Sequence, residues 1–142
     1  MAHQISIFVE NKLGCLDKIT QILGEHQINI RAVSLASRGE FGVLKLLVND
    51  PDLAYTQLKT SHLIVSKREI MAVLINDQPG ELHKLLTLLT SNQINIEDTY
   101  GFILEKGKQV VMVLEVEKYP EVQAVLDRHQ IKTLTDQEIY SL

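Results

Sequence analysis

Two βαββαβ units in tandem, an α+β fold whose antiparallel sheets carry helices on one face, are what this 142-residue sequence predicts. Three observations predict it: an internal repeat at a spacing of 66 to 68 residues, apolar runs too short for helices, and a helix-spaced apolar stripe in each half.

The repeat is the firmest of the three. At an offset of 66, Gly14-Cys15-Leu16-Asp17-Lys18-Ile19 aligns with Gly80-Glu81-Leu82-His83-Lys84-Leu85, and Gln27-Ile28-Asn29-Ile30 aligns with Gln93-Ile94-Asn95-Ile96. Eight of the seventeen residues from Gly14 to Ile30 are identical to their partners. The offset then drifts to 68, where Val43 matches Val111 and Leu58 matches Leu126. A duplication follows, with domains at 1–67 and 68–142 and a short insertion at the hairpin holding Glu105-Lys106-Gly107-Lys108.

Each half reads alike. Residues 4–9 and 70–76 are apolar runs that stop at polar turn residues, and they predict strands. Leu16, Ile19, Ile22 and Leu23, like Leu82, Leu85, Leu88 and Leu89, recur at helical spacing and present one apolar stripe to a core. Ile30–Ser37 and Ile96–Leu104 predict second strands, turned by Arg38-Gly39-Glu40 and by Lys106-Gly107 into Val43–Val48 and Val110–Val116. Asp50-Pro51 and Tyr119-Pro120 open second helices, because the amide that proline lacks is unneeded at a first helical position. Leu63–Val65 and Ile131–Leu134 close each half as strands, which gives the split βαβ of the ferredoxin-like class twice.

The third strands carry a further message. Leu44–Val48 and Val110–Leu114 are apolar on nearly every residue, the pattern of a sheet covered on both faces. Helices of the same half cover one face; the other calls for a second sheet, in the same chain or in a partner, and so for stacked halves or a homo-oligomer.

Composition excludes several functions. Fourteen basic against eighteen acidic residues, a formal charge of −4 and no cluster of Lys and Arg exclude nucleic acid as the ligand. Nothing approaches the roughly 20 uncharged apolar residues of a membrane span. The first ten residues have no secretory pattern, and the single Cys15 has no disulfide partner, which suits a reducing cytoplasm. His3, His26, His62, His83 and His129 sit on separate elements with no metal-ligand spacing, so no metal and no cofactor is expected. Cys15 lies where a helix dipole lowers a thiol pKa, but no His or acid adjoins it. RNA recognition on this topology needs stacking aromatics and a basic sheet; acylphosphatase chemistry needs an arginine in the first turn. This chain has neither.

The first strand-to-helix turns hold the candidate site. They are Asn11-Lys12-Leu13-Gly14-Cys15-Leu16 in the first half and Asp77-Gln78-Pro79-Gly80-Glu81-Leu82 in the second. Glycine ahead of a helix admits a ligand close to the backbone, and the unused amides of a first helical turn favour a carboxylate. The same residues also suit a plain turn and a helix cap.

Asp77-Gln78-Pro79-Gly80-Glu81-Leu82, a helix, then Gln93-Ile94-Asn95-Ile96 resembles the ACT-domain pattern D-x-P-G-x-L followed by a helix and N-I, and the resemblance covers the chain twice. It implies a non-catalytic protein, with a free amino acid bound for regulation at interfaces between paired ACT units. The first half departs from the pattern, with Leu13 in place of proline and Cys15 after the glycine.

In a βαββαβ unit the first turn and the start of the second strand lie at opposite ends of the sheet, so one unit cannot bring Asn95 to Gly80. Antiparallel pairing of two units through their second strands would set Asn29 and Ile30 against Asp77–Leu82, and Asn95 and Ile96 against Asn11–Leu16. Asparagine both donates and accepts, as an amino acid's ammonium and carboxylate require. Ser34 and Tyr100, at matching positions of the second strands, are further candidates to line such pockets. Only Ser66-Lys67-Arg68-Glu69 join the halves, too few to cross most of an eight-stranded sheet at about 3.3–3.6 Å per residue. Either that pairing is between two chains, as in a homodimer, or Leu63–Val65 and Ile131–Leu134 are exchanged between the halves, which resembles the interleaved ACT pair of aspartokinases. The alternative function implied by the resemblance is a regulatory subunit docked on an amino-acid biosynthetic enzyme, as the small subunits of acetolactate synthase are.

Overall fold

A computed structural model describes residues 1–142. The elements follow as β1 (Ala2–Glu10), α1 (Cys15–Glu25), β2 (Ile30–Arg38), β3 (Phe41–Val48), α2 (Pro51–Thr60), β4 (Ile64–Asn76), α3 (Glu81–Ser91), β5 (Asp98–Glu105), β6 (Gln109–Glu115), α4 (Tyr119–Arg128) and the short α5 (Asp136–Tyr140). The chain divides into two units. The first comprises His3–Glu69 with Gln137–Leu142, and the second Ile70–Asp136 with Met1–Ala2.

In the first unit the antiparallel strands run in the order β2-β3-β1-β4. Ile5 opposes Leu46 and Ile7 opposes Leu44, so alternate residues of both strands reach one face. There Ile5, Ile7, Leu44, Leu46 and Val48 pack with Ile19 and Leu23 of α1 and with Ala54 and Leu58 of α2. Asp50 caps α2 by accepting the Leu53 amide at 3.0 Å, with Pro51 at the first helical position.

The second unit repeats this as β4-β6-β5. Met71, Val73, Met112 and Leu114 pack with Leu85 and Leu89 of α3 and with Val122 and Leu126 of α4. On the other side of β4, the Leu74 amide donates to Lys132 and the Leu134 amide to Ala72, each at 2.9 Å. Ile131–Leu134, expected as a strand, is therefore a single bridge centred on Thr133, because the chain turns into α5 two residues after Leu134.

The expected four-residue connector does not exist. Ser66–Glu69 lie inside β4, which runs unbroken through thirteen residues and is the last strand of one repeat and the first of the next. No glycine or proline interrupts that stretch, so the extended backbone continues and the chain has no sheet to cross.

Four helices end alike. Gln27, His62, Gln93 and Gln130 adopt φ of 57°, 65°, 58° and 55°, the left-handed region. The next amide then reaches back to the helix: Ile28 to Leu23, Ile94 to Leu89 and Ile131 to Leu126, each at 2.9 Å, and Leu63 to Leu58 at 3.3 Å. The apolar residue after each polar one thus returns to the core, which fixes where the following segment starts.

Helix α5 was not expected from the sequence. It belongs with the first unit, where the Tyr140 hydroxyl accepts the His3 amide at 3.0 Å, Arg31 donates to the Tyr140 carbonyl at 3.2 Å and Ile139 is buried.

Candidate functional site

Each glycine corner is a tight turn built from its own motif. Gly14 (φ 85°, ψ −8°) and Gly80 (φ 87°, ψ −10°) hold the conformation required at the third position of a type II turn, where a side chain is strained. The turns close when Cys15 donates to the Lys12 carbonyl and Glu81 to the Gln78 carbonyl, both at 3.3 Å. Proline favours the second position of such a turn, which explains Pro79. Leu13 forfeits that rigidity without losing the turn, and its side chain stands fully exposed.

The corners are also tethered to the adjacent hairpins. Asn11 donates from Nδ2 to the Gly39 carbonyl at 2.9 Å, and its amide donates to Glu40 at 2.8 Å. Asp77 accepts the Gly107 amide on Oδ2 at 2.8 Å, and its own amide donates to Lys108 at 3.1 Å. The first residue of each motif therefore braces the turn against a hairpin tip.

Neither α1 nor α3 has a side-chain cap. The first amide of each helix is used in closing its turn, and the backbone amides of Lys18 and Lys84 donate to the Gly14 and Gly80 carbonyls at 3.0 and 3.1 Å. The amides of Leu16 and Asp17, and of Leu82 and His83, are the ones that helical pairing leaves over. Two adjacent donors at a helix N-terminus can take the two oxygens of a carboxylate.

In the first unit these donors adjoin a narrow cleft of about 60 Å³, lined by Glu10, Asn11, Cys15, Leu16, Leu35 and Ser37 among others. Leu35 and Ser37 are residues that sequence reasoning missed; the signal was the alternation Val33, Leu35, Ser37, which places all three on the helix-bearing face of β2. Ser34 and Tyr100 are on the opposite faces of their strands, opposite Lys45 and Val113. Burial, and then the nearby Asp98 and Glu115, push the Tyr100 phenol above the ordinary tyrosine range. His83 lies along the exposed side of α3, with Nε2 3.5 Å from the Thr87 hydroxyl.

The asparagines sit elsewhere. The Asn29 amide donates to Asn49 Oδ1 at 2.8 Å and its carbonyl accepts the Asn49 amide at 3.1 Å, at the end of the β2–β3 pair remote from the Gly39 hairpin that anchors Asn11. Nine residues of β2 intervene, roughly 30 Å of strand. Asn95 and Ile96 stand likewise just before β5, while Asp77 is held at its far end by Gly107. Within each unit, the structure assembles Asn11–Leu16 or Asp77–Leu82 into one corner and leaves Asn29 and Ile30, or Asn95 and Ile96, at the other end.

Compared with known proteins, the whole chain, residues 1–142, matches the family described as an ACT domain pair. A solved structure of protein BT0572 from Bacteroides thetaiotaomicron is 32% identical, covers 99% of this chain and 96% of its own, and superposes with a TM-score of 0.92. The ligand-free regulatory subunit of aspartate kinase from Thermus thermophilus is 19% identical over 92% of this chain and 93% of its own, with a TM-score of 0.66. The corresponding subunit from Thermus flavus is 18% identical over 90% of each chain, with a TM-score of 0.64. No curated protein matches. A turn motif made twice, an antiparallel sheet in which both repeats share β4 and a full-length match agree: the chain belongs to the ACT domain pair family.

Proposed function

We propose that this protein is a non-catalytic, cytoplasmic regulator that binds a free amino acid where two ACT units meet, its units being 1–67 and 68–142. The observation that carries the proposal is the pair of helix N-termini left without a side-chain cap behind a left-handed glycine. A carboxylate fits the leftover amides of Leu16 and Asp17, or of Leu82 and His83. The amino group and the side chain then fall to Asn29 and Ile30, or Asn95 and Ile96, of another unit.

The edge strands support such pairing. β2 and β5 end the strand order, and each unit exposes apolar residues on its first helix and its edge strand, Leu16 and Leu35 in the first, Leu82 and Ile103 in the second. Open edges flanked by apolar surface suit a second copy of the chain and a homodimer. Ligand held between copies would tighten that contact and change what the pair docks on.

The test is a thermal-shift screen of the twenty amino acids against purified protein. A ligand at about one hundred times its Kd adds ~2.7 kcal/mol, a Tm rise of roughly 5–10 °C for a chain of this size. One or a few amino acids should do this; no shift with any of them rejects the reading. The second reading is a separate regulatory subunit for an amino-acid biosynthetic enzyme, favoured by the likeness of fold to aspartate kinase regulatory subunits. Co-purification of one enzyme at fixed stoichiometry would decide for it.

A further inference from the structure

The glycine corner has a second side, facing β4 instead of β2. In the first unit, the end of β1, the start of α1 and His62-Leu63-Ile64 enclose a cleft of about 530 Å³. In the second unit, the end of β4, the start of α3 and Gln130-Ile131-Lys132 enclose its counterpart, of about 400 Å³. The walls correspond through the repeat: Val9 with Ile75, Ile19 with Leu85, Leu63 with Ile131 and Lys18 with Lys84. Both volumes fall within the ~300–1,000 Å³ of small-molecule pockets.

What differs is the chemistry. In the second unit Lys84 is neutralised by Glu81 at 2.9 Å. Cys15 stands where Glu81 stands, so Lys18 has no such carboxylate beside it. The other polar side chains on the first cleft are those of Glu10 and Lys12, which pair with each other at 3.0 Å, and of His62. Apolar surface has also been added. Phe8 and Phe41 replace Leu74 and Gln109 and stack at 5.1 Å, 45% and 46% exposed, while Ile64, at 69%, replaces Lys132.

We infer that the first-unit cleft binds a small organic carboxylate with an aromatic or branched apolar tail, the carboxylate on Lys18 and the tail against Phe8, Phe41 and Ile64. A cation without a carboxylate partner on the same cleft as open aromatic faces complements that pairing of charge and tail; in the second cleft Lys84 is paired with Glu81, Lys132 is the further cation and no aromatic lines the wall. The site needs no second unit, so it stands or falls apart from amino-acid binding at an interface.

The experiment is an NMR titration of the full chain with 3-phenylpropionate, against 3-phenylpropanamide, which lacks the charge, and propionate, which lacks the ring. Saturable shifts are expected at the amides of Phe8, Lys18 and Ile64, with the second cleft silent. Propionate should bind more than about tenfold weaker for want of the buried ring, and the amide about threefold to fivefold weaker, the worth of a part-exposed ion pair. Cys15→Glu, which supplies Lys18 with the partner Lys84 has, and Lys18→Ala should each weaken 3-phenylpropionate to the level of the amide. No shifts at Phe8 and Ile64, equal shifts at both clefts, or wild-type affinity in both variants overturns the inference.

Discussion

Asp77 holds the Gly107 amide at 2.8 Å, thirty residues away, and so ties the second glycine corner to the tip of the β5–β6 hairpin. Asn11 makes the matching tie to Gly39 with its amide as donor, so opposite hydrogen-bonding polarities yield one brace. The leading residue of each motif is accounted for by holding its turn in place, leaving ligand contact to the backbone that follows.

Asp77→Ala should therefore loosen the hairpin as well as the turn. A lost hydrogen bond to a charged acceptor costs about 1.5–3 kcal/mol, with exposure placing this one toward the low end. Asp77→Asn keeps an acceptor and should cost less. Urea denaturation measures both, and amide exchange at Gly107 should quicken in the alanine variant alone.

The two sheet glycines should respond unequally to a methyl group. A Cβ on Gly42 would lie 2.8 Å from Ser37 Cβ and 2.9 Å from the Ala36 carbonyl, both on a strand that cannot step aside. A Cβ on Gly101 meets Met112 Sδ at 2.5 Å, and that atom is near the end of a flexible side chain. Gly42→Ala is expected to cost about 2–3 kcal/mol and Gly101→Ala roughly half as much, read from denaturation midpoints. Equal costs would mean that Met112, or the Val111 carbonyl 3.2 Å from a Cβ on Gly101, yields no more than the β2 backbone does.

Glycine at a left-handed helix end should stabilise. Gln27→Gly, Gln93→Gly and Gln130→Gly each relieve a positive φ, with an expected gain of about 0.5–1 kcal/mol. Valine at the same positions should lower the Tm, since a β-branched residue tolerates that region least.

Alkali should unfold the protein through Tyr100. Its phenol is raised in the folded state mainly by burial, so the fold binds this proton more tightly than the unfolded chain does. The associated stability is complete below the unfolded-tyrosine pKa near ~10 and is lost as pH rises beyond it. Urea midpoints taken across pH 9–11.5 should fall in the wild type, and the slope should flatten in Tyr100→Phe. A parallel decline in both proteins would assign the effect to other groups.

The pairing edge is open to the same kind of test. Leu35→Glu and Ile103→Glu place charge on exposed positions, so the fold should survive while any self-association through β2 or β5 is lost. Light scattering reads the result directly.

Much of this fold was legible because its signals are local and made twice. Gly14 and Gly80 announce a turn, Pro51 and Pro120 announce helix starts, and the leucine stripes give both α1 and α3. Pairings between distant residues left no such trace. Nothing in Asp136–Tyr140 indicates that Tyr140 will meet His3 and Arg31, and five residues are too few to show periodicity. The polar run Ser66–Glu69 read as a connector because exposed strand and exposed linker share a composition. At the site, the glycine corners could be read from sequence, whereas Leu35 and Ser37 reach the cleft only through the register of β2 on β3.

The duplication can no longer be undone by cutting at the repeat boundary. Met1–Ala2 are counted with the second unit and Gln137–Leu142 with the first, while β4 passes through the join as a single strand. A gene for either half alone would encode a fragment missing a piece that the other half carries, so two copies that arose as equals are now inherited as one indivisible part.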